Sequence, residues 1–322
     1  MSAAITCRGL TKRYGDVVAL DHLTLDVPAG AIFGFLGPNG AGKTTTLRLL
    51  TGLAYPTEGG ATVAGKDISA GSVGIHEQVS YLDQAPQFYG WMRGRELLTF
   101  VGELFGLRGA ALHARVDETL ALSGLTNAAS RAIHTYSGGM RQRLGLAQAL
   151  VNQPDVLLLD EPVSALDPQG RHEMLDVIAG LRGHATVLMS SHILADIERV
   201  CDMVAIINHG KLVVSSSVAE LRERYAQPVF LLEIEPESEE RVAGLLATLR
   251  AAPWLDDAAW EPPSLRVVAR DPQAAGREIL AALLAQNVEI QRFERARPTL
   301  EDIFLRLTSG GQMERPETEA AR

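Results

Sequence analysis

Cysteine is scarce in this chain: two of its 322 residues, Cys7 and Cys201, far apart in sequence. That excludes a disulfide framework and a cysteine-rich metal site, and it suits a reducing compartment. Both thiols are expected to be packing residues. Positive charge is also short, with 30 Lys and Arg against 39 Asp and Glu and a net charge of -9. A phosphate backbone is bound by clustered Lys and Arg, so nucleic acid is excluded as the main ligand. No apolar run approaches the roughly 18 residues that a membrane helix needs, so the chain is not expected to cross a membrane by itself. Its start, "MSAAITCRGLTKRYGD", has no apolar core behind its positive charges and does not read as a secretory leader. The expected location is the cytoplasm, peripheral on the inner face of the cell membrane if another protein docks it there. No internal repeat is visible.

What is present is alternation of short β-rich runs with helical patterns over residues 3–225, the signature of an α/β domain with a largely parallel sheet. "AIFGFL" (31–36), "VLLLD" (156–160), "ATVLMS" (185–190) and "VAIIN" (204–208) read as strands buried on both faces. Between the first two, residues 85–150 carry helical periodicity and read as a helical subdomain. Composition changes near residue 226. From there to 308 the order strand, helix, two strands, helix, strand predicts a small α+β domain of ferredoxin-like order, closed by a helix with Leu300, Ile303, Phe304 and Leu307 on one face. The tail, 309–322, is polar and is expected to be disordered.

The strongest local signal is "GPNGAGKT" (37–44), which has the spacing G-x-x-x-x-G-K-[ST] and lies between an apolar strand and the helical run "TTTLRLLTGL". Gly37, Gly40 and Gly42 let the backbone curl around an anion. The intervening Pro38, Asn39 and Ala41 complete a loop whose N–H groups turn toward phosphate oxygens. The dipole of the following helix adds to the attraction. Lys43 is expected to reach the β- and γ-phosphates of ATP as a point charge, Thr44 to ligate Mg²⁺, and Thr45 to assist at the α-phosphate.

Binding alone does not hydrolyse. That requires a carboxylate for magnesium and a group that orients water, and "VLLLDEP" (156–162) supplies both. Asp160, ending an apolar strand, is expected beside the strand of the phosphate loop and near Thr44. Glu161 emerges into the cleft as general base.

With these motifs stands "YSGGMRQRLGLAQAL" (136–150). Ser137 alone would pass for an ordinary N-cap, but two glycines sit where a helix former would serve better. Together the residues resemble the ATP-binding subunits of ABC transporters over about residues 3–225, with Tyr136 in place of the more usual Leu. The resemblance implies that Ser137, Gly138, Gly139 and Gln142 contact the ATP held by a second copy, so the working unit is a homodimer with two composite sites. It further implies that Tyr14 stacks on adenine and that Gln84 touches Mg²⁺ and the attacking water. His192 would contact the γ-phosphate, and Ser164, Ala165, Leu166 and Asp167 would cross the dimer interface.

Six aromatics, Tyr81, Phe88, Tyr89, Trp91, Phe100 and Phe105, crowd one short stretch. The resemblance puts there the groove that receives a separate polytopic membrane permease, and Phe88, Tyr89 and Trp91 are its candidate lining. The C-terminal "RPTLEDIFLRLTSG" (297–310) is similar to the extension of drug-efflux ATPases of the daunorubicin-exporter type. That favours an exporter whose cargo never touches this chain. The alternative is an ATPase of the same type with a regulatory or resistance role uncoupled from transport. A chromosome-managing ATPase would need a long coiled coil between Lys43 and Ser137, and a translation factor a second phosphate loop. The sequence has neither.

Overall fold

The computed structural model describes residues 2–68, 75–224, 229–296, 300 and 303–304. The chain divides into two compact units, Met1–Val218 and Ala219–Arg322. In chain order the first holds β1 (Ala3–Tyr14), β2 (Val17–Pro28), β3 (Ile32–Leu36), α1 (Lys43–Leu50), β4 (Glu58–Val63), β5 (Lys66–Asp67), β6 (Val79–Leu82), α2 (Gly94–Leu104), α3 (Gly109–Leu122), α4 (Gly138–Leu150), β7 (Val156–Leu159), α5 (Pro168–Gly180), β8 (Thr186–Ser191), α6 (Leu194–Val200), β9 (Met203–Asn208) and β10 (Lys211–Ser217).

Six strands form one sheet in the order β10-β9-β3-β8-β7-β6, parallel from β9 to β6. Every residue of β3, β7 and β8 is buried, which is why these strands read as unbroken apolar runs and not as alternating ones. A second, antiparallel sheet, β2-β1-β4-β5, was not foreseen as a separate layer. Its inward side chains Ile5, Leu23 and Val63 share one core with Phe33 and Phe35 of β3 and Leu47 of α1. The helices α2, α3 and α4 form a satellite core around Leu98, Val116, Leu120, Tyr136 and Leu144.

One expectation is corrected here. The strand that ends before Asp160 is not the neighbour of the phosphate-loop strand: β8 lies between β7 and β3. Asp160 therefore reaches the site across an intervening strand, and the residues of β8 become part of the machinery.

The second unit begins in α7 (Val218–Arg224), which carries the boundary, and continues through β11 (Val229–Ile234), α8 (Val242–Arg250), β12 (Leu255–Glu261), β13 (Ser264–Ala269), α9 (Pro272–Ala285) and β14 (Ile290–Ala296). Among the described residues its four strands are all antiparallel, in the order β12-β13-β11-β14. That is the ferredoxin-like arrangement. Phe230, Leu232, Leu265 and Val267 pack against Leu245, Leu249 and Ile279 of the helices. A 3-10 turn, Pro236–Arg241, precedes α8. Leu300 and Ile303 are buried; Leu307 and the tail 309–322 lie outside the described residues.

Candidate active site

The loop 37–42 links β3 to α1, and its geometry demands glycine. Gly42, the residue before α1, has φ 107°, and a Cβ there would lie 2.6 Å from the Ala19 carbonyl. Such a conformation is open to Gly and strained for other residues. At Gly37 a Cβ would lie 2.4 Å from the Ile207 carbonyl. The loop is thus pressed against β2 and β9.

Lys43 is buried and folds back on this loop, its Nζ donating to the carbonyls of Gly37 (2.7 Å) and Pro38 (3.2 Å). Nζ also lies 3.5 Å from Glu161 Oε1. Burial holds the Lys43 ammonium below its usual pKa, and the Glu161 and Asp160 carboxylates oppose that shift.

Glu161 is the centre of the constellation. Its carboxylate is 7% exposed at residue level, and Oε2 accepts from Gln84 Nε2 at 3.3 Å and meets His192 Nδ1 at 3.0 Å. Three groups drawn from distant parts of the chain, Lys43, Gln84 and His192, thus converge with Glu161 on its one carboxyl group. They line a cavity of about 450 Å³ with Ala19, Asn39, Gly40, Gly42, Thr44, Thr45 and Ser164. Glu161 adopts φ 45°, the left-handed region, and Ser164 N and Oγ both donate to its carbonyl, at 3.2 and 3.0 Å. A tight turn therefore points its side chain back toward the phosphate loop.

Asp160 is 1% exposed. Its Oδ1 accepts from Ser190 Oγ at 2.6 Å, while Oδ2 is buried without a hydrogen-bond partner among the described residues. An ionised oxygen in that condition needs a cation or a donor. Thr44 at the start of α1 and Gln84 after β6 line the phosphate-loop cavity, which Asp160 does not; the donor types, carboxylate, hydroxyl and amide oxygen, fit Mg²⁺.

Tyr14 ends β1 half-exposed, at 49%, with Lys12 Nζ 4.9 Å above its ring centre. Neither Tyr14 nor Pro38 lines the phosphate-loop cavity, whereas Ala19, which the sequence did not single out, does.

The Ser-Gly-Gly segment does not face this cavity. Ser137 caps α4, its Oγ accepting from Met140 N at 3.2 Å. With Gly138, Gly139, Ala165, Leu166 and Asp167 it lines a second cavity, of about 540 Å³. Asp167 Oδ1 accepts from Gly170 N at 2.8 Å and caps α5. Gln142 does not belong with the exposed residues: it is 1% exposed, and its Nε2 has no partner among the described residues. Residue 142 lies in the second turn of α4, on the side packed into the chain, whereas Met140 and Arg143 on either side of it line the second cavity. Tyr136 is 3% exposed, and its hydroxyl donates to the Ala128 carbonyl at 2.7 Å. Tyrosine therefore replaces leucine as a core residue with a polar anchor, and burial pushes its phenol pKa up.

Among the aromatics, Tyr89 and Trp91 are 65% and 74% exposed, with ring centres 6.1 Å apart. Phe88 behaves differently and packs on the helical core, so it is withdrawn from the groove lining. A shallow groove nearby is lined by Arg93, Arg95, Phe100, Glu103, Ala129 and Ser130. His134 N donates to Gly90 O at 2.9 Å and Ile133 N to Met92 O at 2.8 Å. The aromatic loop is thereby tied to the segment that runs into Ser137.

Among the described residues no helix is long and apolar enough to cross a membrane. Residues 20–164 match the ABC transporter family, and residues 217–308 match the C-terminal domain of DrrA1-3-like ATP-binding proteins. An uncharacterised ABC transporter ATP-binding protein of Bacillus subtilis, YxlF, is 38% identical over 304 residues, 94% of this chain and 99% of that protein. The daunorubicin/doxorubicin resistance ATP-binding protein DrrA of Streptomyces peucetius is 34% identical over 320 residues, 99% of this chain and 96% of the relative. The bacitracin transport ATP-binding protein BcrA of Bacillus licheniformis is 33% identical over 314 residues, 97% and 99%. A solved ATP-binding subunit of an ABC transporter superposes with a TM-score of 0.63 at 27% identity, covering 69% of this chain and 93% of that one. A likeness that runs through both units and almost the whole length of these relatives makes this chain a member of the ABC transporter ATP-binding proteins, and so an ATPase.

Proposed function

We propose that this chain is the motor subunit of an ABC exporter, and that it works as an ATP-clamped homodimer on a separate polytopic permease. The observation that carries this reading is the division of one set of motifs between two cavities. The phosphate loop, Gln84, Glu161 and His192 line one, and Ser137, Gly138 and Gly139 line the other. The loop Ser164–Asp167 belongs to both, Ser164 to the first and Ala165, Leu166 and Asp167 to the second. A nucleotide held by the first cavity lacks the signature contacts of its own chain, and a second copy supplies them. A relative named for Nod factor export supports the outward direction, and the names for bacitracin transport and daunorubicin resistance support a transport role.

In this reading Tyr14 stacks on adenine and the backbone of residues 37–42 cradles the phosphates. Lys43 leaves the Gly37 and Pro38 carbonyls for the β- and γ-phosphates. Thr44, Gln84 and Asp160, through the Oδ2 that has no partner among the described residues, would hold Mg²⁺. A metal held there would supply positive charge against the charge that develops during phosphoryl transfer. Glu161 takes the proton of the attacking water. His192 fixes the Glu161 carboxylate through its 3.0 Å contact and faces the γ-phosphate. Tyr89 and Trp91 rim the groove for a segment of the permease, which holds the chain peripherally on the inner face of the membrane. The backbone bonds from residues 90 and 92 to 134 and 133 carry movement there toward the signature.

The test is ATP hydrolysis by wild type and Glu161→Gln, with gel filtration of the variant in the presence and absence of MgATP. Loss of turnover together with ATP-dependent dimerisation is the expected result. A variant that hydrolyses as fast as wild type removes Glu161 as base, and one that stays monomeric at saturating ATP removes the shared site.

A further inference from the structure

Ser190 belongs to none of the motifs that define the site. It lies in β8, the strand inserted between β7 and β3, and is fully buried. Its hydroxyl donates to Asp160 Oδ1 at 2.6 Å and accepts from Glu161 N at 2.9 Å. A hydroxyl has one proton to give, and an amide can only donate, so the direction of both bonds is fixed. One oxygen atom thus touches both members of the carboxylate pair: the side chain of Asp160 and the backbone of Glu161.

Both bonds have chemical consequences. Tethering Oδ1 selects one rotamer of the Asp160 carboxylate and leaves Oδ2 as the oxygen without a partner among the described residues. Glu161 lies two residues beyond the end of β7, after Asp160, and sits at φ 45°. That is a conformation a non-glycine residue holds only when its surroundings over-determine it. Ser190 gives the Glu161 amide its acceptor, on the side from which the Glu161 carboxylate turns toward Lys43, Gln84 and His192.

We propose that Ser190 is a positioning residue of the ATPase: its hydroxyl registers the metal-binding carboxylate of Asp160 against the general base Glu161. This rests on the reading of Asp160 as Mg²⁺ ligand and Glu161 as base. Ser190 is fully buried and does not line the phosphate-loop cavity, so it acts through Asp160 and Glu161. A serine that merely fills space in β8 would, when replaced, lower stability without altering metal dependence.

The experiment uses the full chain as wild type, Ser190→Ala, Ser190→Thr and Asp160→Asn. It measures ATPase turnover against Mg²⁺ concentration, binding of ADP by calorimetry in Mg²⁺ and in EDTA, and the thermal midpoint. Partners of metal ligands contribute about 10- to 100-fold to metal affinity or activity. Ser190→Ala is therefore expected to raise the Mg²⁺ half-saturation and lower turnover by about tenfold or more. ADP binding in EDTA should stay within about twofold, and Ser190→Thr, which keeps the hydroxyl, should restore the Mg²⁺ half-saturation. If alanine does not give folded protein, Ser190→Cys, with its weak donor and acceptor, is expected to shift the Mg²⁺ dependence in the same direction. An unshifted Mg²⁺ dependence in Ser190→Ala or Ser190→Cys overturns the proposal. So does a loss of ADP binding in EDTA that parallels the loss of turnover. If Asp160→Asn itself leaves the Mg²⁺ dependence unchanged, the metal reading fails first; if it shifts and Ser190→Ala does not, only the role of Ser190 falls.

Discussion

Tyr136, the residue that departs from the family's usual leucine, makes a quantitative test of why it is there. Its hydroxyl sits against Gly94, the first residue of α2, where an ideal Cβ would lie 2.4 Å from the oxygen and 3.4 Å from the ring carbon that bears it. Tyr136→Phe removes a buried hydrogen bond to Ala128 O, but that carbonyl still accepts from Arg131 N at 2.9 Å. No buried acceptor is stranded, so the loss is the net worth of one bond, about 1 kcal/mol, and not the larger penalty of an orphaned group. Gly94→Ala in the wild type forces the hydroxyl and the new methyl apart, an overpacking cost of about 1–3 kcal/mol. In the Phe background the clashing oxygen is gone, and the preference of a helix for Ala over Gly, at most about 1 kcal/mol, is left to act. The two substitutions should therefore be non-additive by about 2 kcal/mol, with the double variant close to Tyr136→Phe alone. In a domain of this size 1 kcal/mol moves Tm by about 2–4 °C, so the coupling is readable by thermal or urea unfolding followed by circular dichroism. Additivity within about 0.5 kcal/mol would show that Gly94 and the Tyr136 hydroxyl do not share a space, and the packing account of this residue would be withdrawn.

Two further outcomes follow from exposure and burial. Trp91→Ala combined with Tyr89→Ala removes two mostly exposed rings, so Tm should move by no more than about 2 °C, while co-sedimentation with permease-containing membranes is lost; undiminished co-sedimentation refutes the groove assignment. Burial pushes the Cys7 thiol up to about 12 and the Cys201 thiol higher still. Both therefore stay protonated and unreactive at pH 8, and a thiol-reactive chromophore should label neither in the native chain and both after denaturation, rapid native labelling being the contrary result.

The parallel strands were legible because burial on both faces leaves an unmixed apolar run. Their predicted ends were within a residue or two of Ile32–Leu36, Val156–Leu159, Thr186–Ser191 and Met203–Asn208. The antiparallel layer was not, for a physical reason. β1 and β2 carry repeated register shifts, and Gly9 and His22 take positive φ. Each shift resets the two-residue alternation that marks a half-buried strand. Strand order was equally hidden, since β8 enters between β3 and β7 from later in the chain. That is why Ser190 went unnoticed: a serine in an apolar strand has no spacing signal, and its meaning comes only from the neighbours the topology gives it. Lys43, Gln84, Glu161 and His192 were legible through their motifs, whereas the left-handed turn that aims Glu161 is a property of tertiary packing.

The contact between Lys43 and Glu161 affects how the Glu161→Gln experiment is read. Without phosphate, the Lys43 ammonium is held by two loop carbonyls and faces the Glu161 carboxylate at 3.5 Å, while burial acts against its charge. The carboxylate is the larger of the groups that offset this burial. Replacing it with an amide removes that offset, so a phosphate becomes the best remaining partner for the buried charge. The variant should then bind nucleotide more tightly even where no hydrolysis is at stake. ADP affinity in EDTA separates the two effects. If it rises in Glu161→Gln, part of the ATP-trapped dimer reflects relief of a competing carboxylate. If it is unchanged, Lys43 does not feel Glu161 in the free protein, and the trap is due to lost hydrolysis alone.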